Sequence, residues 1–249
     1  MAIASRVAGM ILWLRSLLFN ILFVVSLFLI GVLGLPLAFI SFGLAWKVGR
    51  AWAKTVTWLF RYVVGLEYEV RGPENIPKGS YIIASQHQST WETVFFLYFF
   101  NRPAFILKKE LMWLPVFGWY LALLRHVPID RAGGLKALRK VVESAEKVLN
   151  QGRPVIIFPE GTRVRPGESQ SYQAGIGVLY DRLQAPVLPV ALNSGLFWPK
   201  RSFLKYPGKV IVHCLPPIMP GLNKNDFMKK LEQDLTLAGS KLLLTSSAA

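Results

Sequence analysis

Between Arg15 and Lys47 the chain runs for 31 residues without a charge, most of them Leu, Ile, Val and Phe. A membrane-spanning helix needs only ~20 apolar residues, so this stretch is expected to enter a bilayer. Gly31, Gly34 and Pro36 interrupt its second half. Residues 1–66 hold six basic side chains (Arg6, Arg15, Lys47, Arg50, Lys54 and Arg61) and no Asp or Glu, so positive charge flanks both ends. The positive-inside tendency would keep both flanks on the cytoplasmic side of the membrane, the inner membrane in a bacterium. A monotopic hairpin turning near Gly34, Leu35 and Pro36, with residues 16–33 entering and 37–46 returning, meets that condition better than a single tilted span. A cleaved leader fits less well, because the apolar run is long and basic residues follow it directly.

The stretch after the apolar run narrows the class of partner. Lys47, Arg50, Lys54 and Arg61 recur at spacings of three, four and seven and so share one helical face, with Trp46, Trp52, Trp58, Phe60 and Tyr62 elsewhere. Such a helix beside a bilayer-entering segment is expected in the headgroup region; the plainer alternative is an amphipathic helix packed on its own domain. The net charge of +15, from 29 basic and 14 acidic residues, asks for an anionic partner. Nucleic acid is disfavoured, since no zinc-finger spacing, basic heptad or aromatic RNA-binding signature is present. Cys214 is the lone cysteine, which excludes an intramolecular disulfide and a multi-thiolate metal site.

From Leu66 onward short apolar runs alternate with helical patterns. Strands are predicted over 66–70, 81–84, 104–107, 155–158, 187–191 and 210–214, and helices over 90–100, 134–149, 173–183 and 225–244, with a frayed tail at 245–249. The alternation implies an α/β fold, a mainly parallel central sheet flanked by helices, preceded by the membrane-embedded helical segment. Residues 1–64 therefore read as hairpin and interfacial helix, and 65–249 as a catalytic domain.

Two corners of this pattern carry chemistry. After the run Tyr81, Ile82, Ile83, Ala84 comes the segment 85–93, which brings His87 and Glu92 to a strand-to-helix junction. Five residues apart on one helix, their side chains would diverge by roughly 140°. They meet only if the helix begins between them, with Ser89 as N-cap and Glu92 at the third helical position. Ser89 to Glu92 is equally a capping box that needs no catalysis, and one carboxylate can serve both ends. The second corner, Phe158, Pro159, Glu160, Gly161, Thr162 and Arg163, follows the run Val155, Ile156, Ile157 and presents a carboxylate, a hydroxyl and a guanidinium on one tight turn. Arginine suits a phosphate, which it grips through two parallel hydrogen bonds.

With both corners in that order, the chain resembles the glycerolipid acyltransferases typified by 1-acyl-sn-glycerol-3-phosphate acyltransferase, whose members carry a histidine and an acid separated by four residues and, later, Glu-Gly-Thr-Arg. The likeness runs from about residue 65 to 214 and includes a middle block over 107–119 and 127–131 and a last block over 187–191. One departure is Glu92, where the family usually has Asp. The resemblance implies that Arg131 and Arg163 bind substrate with help from Lys108 and Lys109, and that Glu160, Gly161 and Thr162 belong to the same substrate-binding turn.

The chemistry follows from need. Moving an acyl group from a thioester to an alcohol requires a base, donors for an oxyanion and a grip on the acceptor, but no metal and no cofactor. His87 fits the base, a role worth about 10²–10⁴ in rate, and Glu92 would hold its tautomer. Backbone N–H groups at the helix start are candidates for the oxyanion. The expected reaction is acylation of the sn-2 hydroxyl of lysophosphatidic acid by acyl-CoA or an acyl-carrier protein, giving phosphatidic acid. Alternatives are the same chemistry on another lysolipid, a lyso-aminolipid or lysophospholipid, or a non-catalytic protein that binds anionic lipid. His126 and His213 read as packed or surface histidines, and Ser89 as a cap with no acyl-enzyme role.

Overall fold

The computed structural model describes residues 2–247. Its N-terminal third is a pair of helices, α1 (Ala2–Ile40) and α2 (Phe42–Leu59), packed side by side. The turn between them is at Ser41, not at Gly34 to Pro36: α1 runs unbroken through Gly31, Gly34 and Pro36. The two glycines are sites of close approach. A Cβ at Gly31 would come within 2.6 Å of Val116 Cγ1, and one at Gly34 within 2.5 Å of Val48 Cγ1. Ser41 is extended (φ −158°, ψ 155°) and its hydroxyl accepts from the Leu44 N–H at 3.2 Å, an ordinary N-cap. The returning limb is thus the basic helix itself.

α2 buries Ala45, Trp46, Gly49, Trp52, Ala53, Val56 and Leu59, while Lys47, Arg50, Lys54 and Arg61 stay exposed. Its apolar face therefore packs on its own domain, as the plainer alternative had it. A wider turn over Phe60–Val64 ends at Gly65, whose φ of 79° suits a residue without Cβ. The pair is clamped to the domain by aromatics. Phe19, Phe23 and Phe60 lie 5.9, 6.1 and 5.4 Å from Trp198, centroid to centroid. Each such pair adds about 0.5–1.5 kcal/mol beyond area burial. Lys205 is buried against the Trp198 ring, and its Nζ donates to Asn20 Oδ1 at 2.6 Å, a polar tie to α1.

The remainder is a seven-stranded sheet ordered β1-β7-β6-β2-β5-β3-β4, from β1 (Leu66–Arg71), β2 (Ile82–Ser85), β3 (Ala104–Lys108), β4 (Val127–Ile129), β5 (Val155–Ile157), β6 (Val187–Leu192) and β7 (Gly208–Cys214). All neighbours are parallel except β6 and β7. One face is covered by α1, α2, α3 (Trp91–Phe99) and α4 (Phe117–Leu123), the other by α5 (Gly134–Leu149), α6 (Ala174–Leu183) and α7 (Lys224–Ser247). Covering both faces is what lets strands such as β2 and β6 be wholly apolar or buried.

The sequence pattern missed β4 and α4. β4 contains Pro128, tolerable because this is an edge strand. α4 is short and nearly all apolar, so it shows no helical period. The tail expected to fray is helical to Ser247, and Ala248 and Ala249 lie outside the described residues. His126 is a core residue: its Nδ1 accepts from the Phe105 N–H at 3.0 Å, and burial pushes its pKa down to about 3.

Candidate active site

The C-terminal ends of β2 and β5, adjacent in the sheet, bring the two corners together. After β2 the chain turns through Gln86 to Thr90 and starts α3 at Trp91. Ser89 Oγ accepts from the Trp91 N–H at 3.1 Å, a capping bond made from one residue before the N-cap position, which is Thr90 and not Ser89. Glu92, with no exposed surface, reaches back across the first turn. Its Oε1 accepts from the backbone N–H of Gln88 (2.9 Å) and of Ser89 (2.7 Å), and lies 2.9 Å from His87 Nδ1. The capping box and the His–carboxylate pair are therefore one structure.

The fourth partner of Glu92 is a residue the sequence reading did not find. Ser194 Oγ donates to Glu92 Oε2 at 2.7 Å. Ser194 is fully buried and follows β6, the other neighbour of β2, so it too stands at the C-terminal rim. That position after a parallel strand was the only available signal. Next to it, the Gly195 N–H donates to Gln88 Oε1 at 3.1 Å, which fixes the β6 and β2 loops together.

His87 is held on three sides. Its ring stacks on Phe158, centroids 4.0 Å apart and planes 19° apart, and its carbonyl accepts from the Val164 N–H at 2.8 Å. With Nδ1 turned to Glu92, Nε2 is left for a substrate, and the side chain retains 17% of its surface. The N–H groups of Gln88, Ser89 and Trp91 are engaged by Glu92 and Ser89, so the expectation of oxyanion donors at the helix start narrows to the other N–H groups of that turn.

The second corner supplies the positive charge. Gly161 has φ 68°, a backbone state that favours glycine, and a Cβ there would meet Gln173 Cγ at 3.0 Å. The turn directs Arg163 to the start of α3, where its Nη1 donates to Thr90 Oγ1 at 2.9 Å. Arg131, in the loop after β4, donates to the Gly161 carbonyl. Lys200 Nζ donates to the Arg163 carbonyl at 2.7 Å and stands 3.4 Å from Thr162 Oγ1. Lys109 is bound to Asp130, and Lys108 is exposed at the end of β3, so this pair stands on the β3–β4 rim.

Glu160 points inward, 6% exposed, and its Oε2 has no hydrogen-bond partner. Burial, augmented by the charge of Glu92, raises its pKa to about 7 against the opposing pull of the Glu160 and His87 backbone N–H groups. Among the described residues there is no group of three His, Cys, Asp or Glu arranged to hold a metal ion.

A family model described as Acyltransferase matches residues 67–193, which include every residue of this site but Ser194, Gly195 and Lys200. The chain is 41% identical over 201 residues to a 1-acyl-sn-glycerol-3-phosphate acyltransferase of Pseudomonas aeruginosa, covering 80% of this chain and 78% of that one. The chain belongs to the acyltransferase family. A mouse 1-acyl-sn-glycerol-3-phosphate acyltransferase alpha is 30% identical over 171 residues, 67% of this chain and 60% of its own length. The crystal structure of the 1-acyl-sn-glycerophosphate acyltransferase PlsC from Thermotoga maritima superposes with a TM-score of 0.76 at 26% identity, over 92% of this chain and 96% of that one. The acyltransferase fold thus extends over the N-terminal helix pair as well as the sheet.

Proposed function

We propose that the protein acylates the sn-2 hydroxyl of lysophosphatidic acid to give phosphatidic acid, using acyl-CoA or an acyl-carrier protein thioester. The observation that carries this reading is the junction of His87, Glu92 and Arg163. A hydrogen-bonded imidazole–carboxylate pair is fastened at the start of α3, and the guanidinium of a later turn is tied to the same helix start through Thr90. The relatives that bear the name of this reaction support the choice of acceptor.

The chemistry uses only side chains. His87 Nε2 removes the proton of the acceptor hydroxyl as its oxygen attacks the thioester carbonyl, while Nδ1–H stays on Glu92, which stabilises the imidazolium formed. Collapse of the tetrahedral adduct breaks the C–S bond, and the thiolate leaves with the proton returned by His87. Arg163 and Arg131 grip the acceptor phosphate, with Lys108 and Lys109 at the rim and Glu160, Gly161 and Thr162 shaping the turn. No acyl-enzyme forms.

The helix pair supports membrane residence. Val7, Ile11, Leu14, Leu18, Ile21, Val25, Phe28 and Val32 lie along one exposed stripe of α1, at spacings of three and four. The opposite face meets the domain from Ser16 to Ala38, so a crossing orientation would drag the domain into hydrocarbon. At 1.5 Å per residue α1 is also far longer than the ~30 Å hydrocarbon core. We therefore read residues 1–64 as a monotopic element lying in the cytoplasmic leaflet, with the catalytic domain of 65–249 on top.

The test is product analysis with purified enzyme, a panel of lysolipid acceptors and both donor types. Lysophosphatidic acid is expected to turn over fastest. Faster acylation of a lyso-aminolipid or an uncharged-headgroup lysolipid would overturn the assignment of the acceptor.

A further inference from the structure

Three arginines that have no ion-pair partner among the described residues gather at the end of the sheet opposite His87. β3, β4 and β5 run parallel to β2, so their C-terminal ends, followed by Lys109, Arg131 and Arg163, lie on the same side of the sheet as His87. Their N-terminal ends are each closely preceded by an arginine: Arg102, Arg125 and Arg153. The three guanidiniums converge on the ring of Phe42, the first residue of α2, with Cζ 6.0, 5.4 and 4.7 Å from its centroid respectively.

Arg153 is the brace of this cluster. It is 3% exposed; its Nε donates to the Arg102 carbonyl and its Nη2 to the Leu124 carbonyl, both at 2.9 Å. It therefore fixes both loops that carry the other two side chains. Arg102 and Arg125 are exposed, and each holds a left-handed backbone (φ 52° and 54°) that is uncommon for a residue with a side chain. Among the described residues, no ion pair includes any of the three. Burial and then the charges of Arg125 and Arg102 push the Arg153 guanidinium down to about 10. Like charges held together in this way repel unless an anion joins them.

The surroundings indicate where that anion comes from. Leu37, Phe39 and Ile40, directly before Phe42, are 50%, 69% and 70% exposed. An apolar tip that enters lipid is thus bordered by forked donors at the level where headgroups begin. We propose that Arg102 and Arg125, braced by Arg153 on the Phe42 ring, form a phosphate-binding site separate from the catalytic cleft. An anionic phospholipid headgroup and inorganic phosphate present the same chemistry to it. Occupied by a headgroup, the site would fix the depth of the helix turn in the membrane.

The full chain, purified in detergent, is assayed in two arms. In the first, it is floated with vesicles of phosphatidylcholine alone or of phosphatidylcholine containing phosphatidate. R102Q/R125Q is compared with K136Q/K140Q, which removes equal charge from exposed positions on α5. The arginine variant is expected to lose about tenfold or more in affinity for the phosphatidate vesicles, and the α5 variant little. In the second arm, millimolar inorganic phosphate is added to the detergent-solubilised protein and the melting temperature is read. Stabilisation of wild type but not of R102Q/R125Q assigns the site to free phosphate; a response in the lipid arm only assigns it to the headgroup.

Equal losses in the two variants, with no phosphate response, would leave only diffuse charge attraction and overturn the proposal. Should R102Q/R125Q fail to fold, R102K/R125K keeps the charge but loses the planar fork, and unchanged phosphatidate affinity in that variant overturns it too. Acylation of detergent-dispersed lysophosphatidic acid by R102Q/R125Q is expected to stay close to wild type; a fall as deep as that of His87→Ala would make the cluster part of the catalytic machinery. Phosphatidate, the proposed product, also meets Arg163 and Arg131, but that site is intact in both variants, so the difference between them is read without acyl transfer and independently of the proposed reaction.

Discussion

Two carboxylates are buried within the same cleft, and they are treated in opposite ways. Glu92 accepts from two backbone N–H groups and a serine hydroxyl and is paired with His87, so both its oxygens are engaged. Glu160, nearly as buried, has an oxygen with no partner at all, and its carboxyl stays protonated up to about pH 7. Burial alone therefore does not decide what a carboxylate does. Whether both of its oxygens find donors does. Glu92 is built to hold an imidazole still, whereas Glu160 retains unfilled hydrogen-bonding capacity that a bound acceptor could complete.

The largest effect should come from removing the group that Glu92 serves. His87→Ala is expected to lower kcat by about 10²–10⁴. Three other donors still hold Glu92 in this variant, so its melting temperature should stay close to wild type. Near-normal acyl transfer by a folded His87→Ala protein would mean that the wiring of Glu92 is only a helix cap. Next in size is Arg163→Ala. A charged hydrogen bond is worth about 1.5–3 kcal/mol, so KM for the phosphorylated acceptor should rise about 10- to 100-fold. An unchanged KM would remove Arg163 from the phosphate grip.

Ser194→Ala probes the far oxygen of Glu92 and makes it resemble Glu160. Losing one donor from a buried carboxylate should reduce kcat by about tenfold at most while KM holds. Ser194→Thr, which restores a hydroxyl, should recover most of that loss. If threonine does not rescue, the serine matters for packing and not for holding the carboxylate.

The dyad was legible because both of its parts are local. A strand run, a cap residue and a carboxylate three positions later state the geometry of one turn, and the chain obeys it to within a residue. The sheet's central strands were legible for the same reason, each being a short continuous apolar run. Ser194 was not, since its partner is 102 positions away and nothing near it marks a site. The helix turn was misplaced because Gly31, Gly34 and Pro36 read as breakers. Two of them instead allow Val116 and Val48 to approach, a fact about neighbours that no local pattern contains. The expected oxyanion donors were narrowed by the cap itself: Glu92 and Ser89 take up the N–H groups of Gln88, Ser89 and Trp91, which leaves fewer at the helix start.

The smallest effect expected is also the one that isolates Glu160. Its pKa is raised from about 4.5 when unfolded to about 7 when folded, so the folded state binds more protons between those values. Stability from this group is greatest below the unfolded value and declines as pH rises through the folded one. Glu160→Gln keeps the shape and removes the titration. Relative to wild type, the variant should therefore gain on the order of 1–2 kcal/mol at pH 8 and nothing at pH 4, read as the difference between two denaturation series across pH. Working with the difference cancels His126, which titrates with the opposite sign: its folded pKa is depressed to about 3, so its contribution falls as pH drops below its usual range. A flat difference would mean that Glu160 finds in solution a partner it lacks here, and the contrast between the two carboxylates would close.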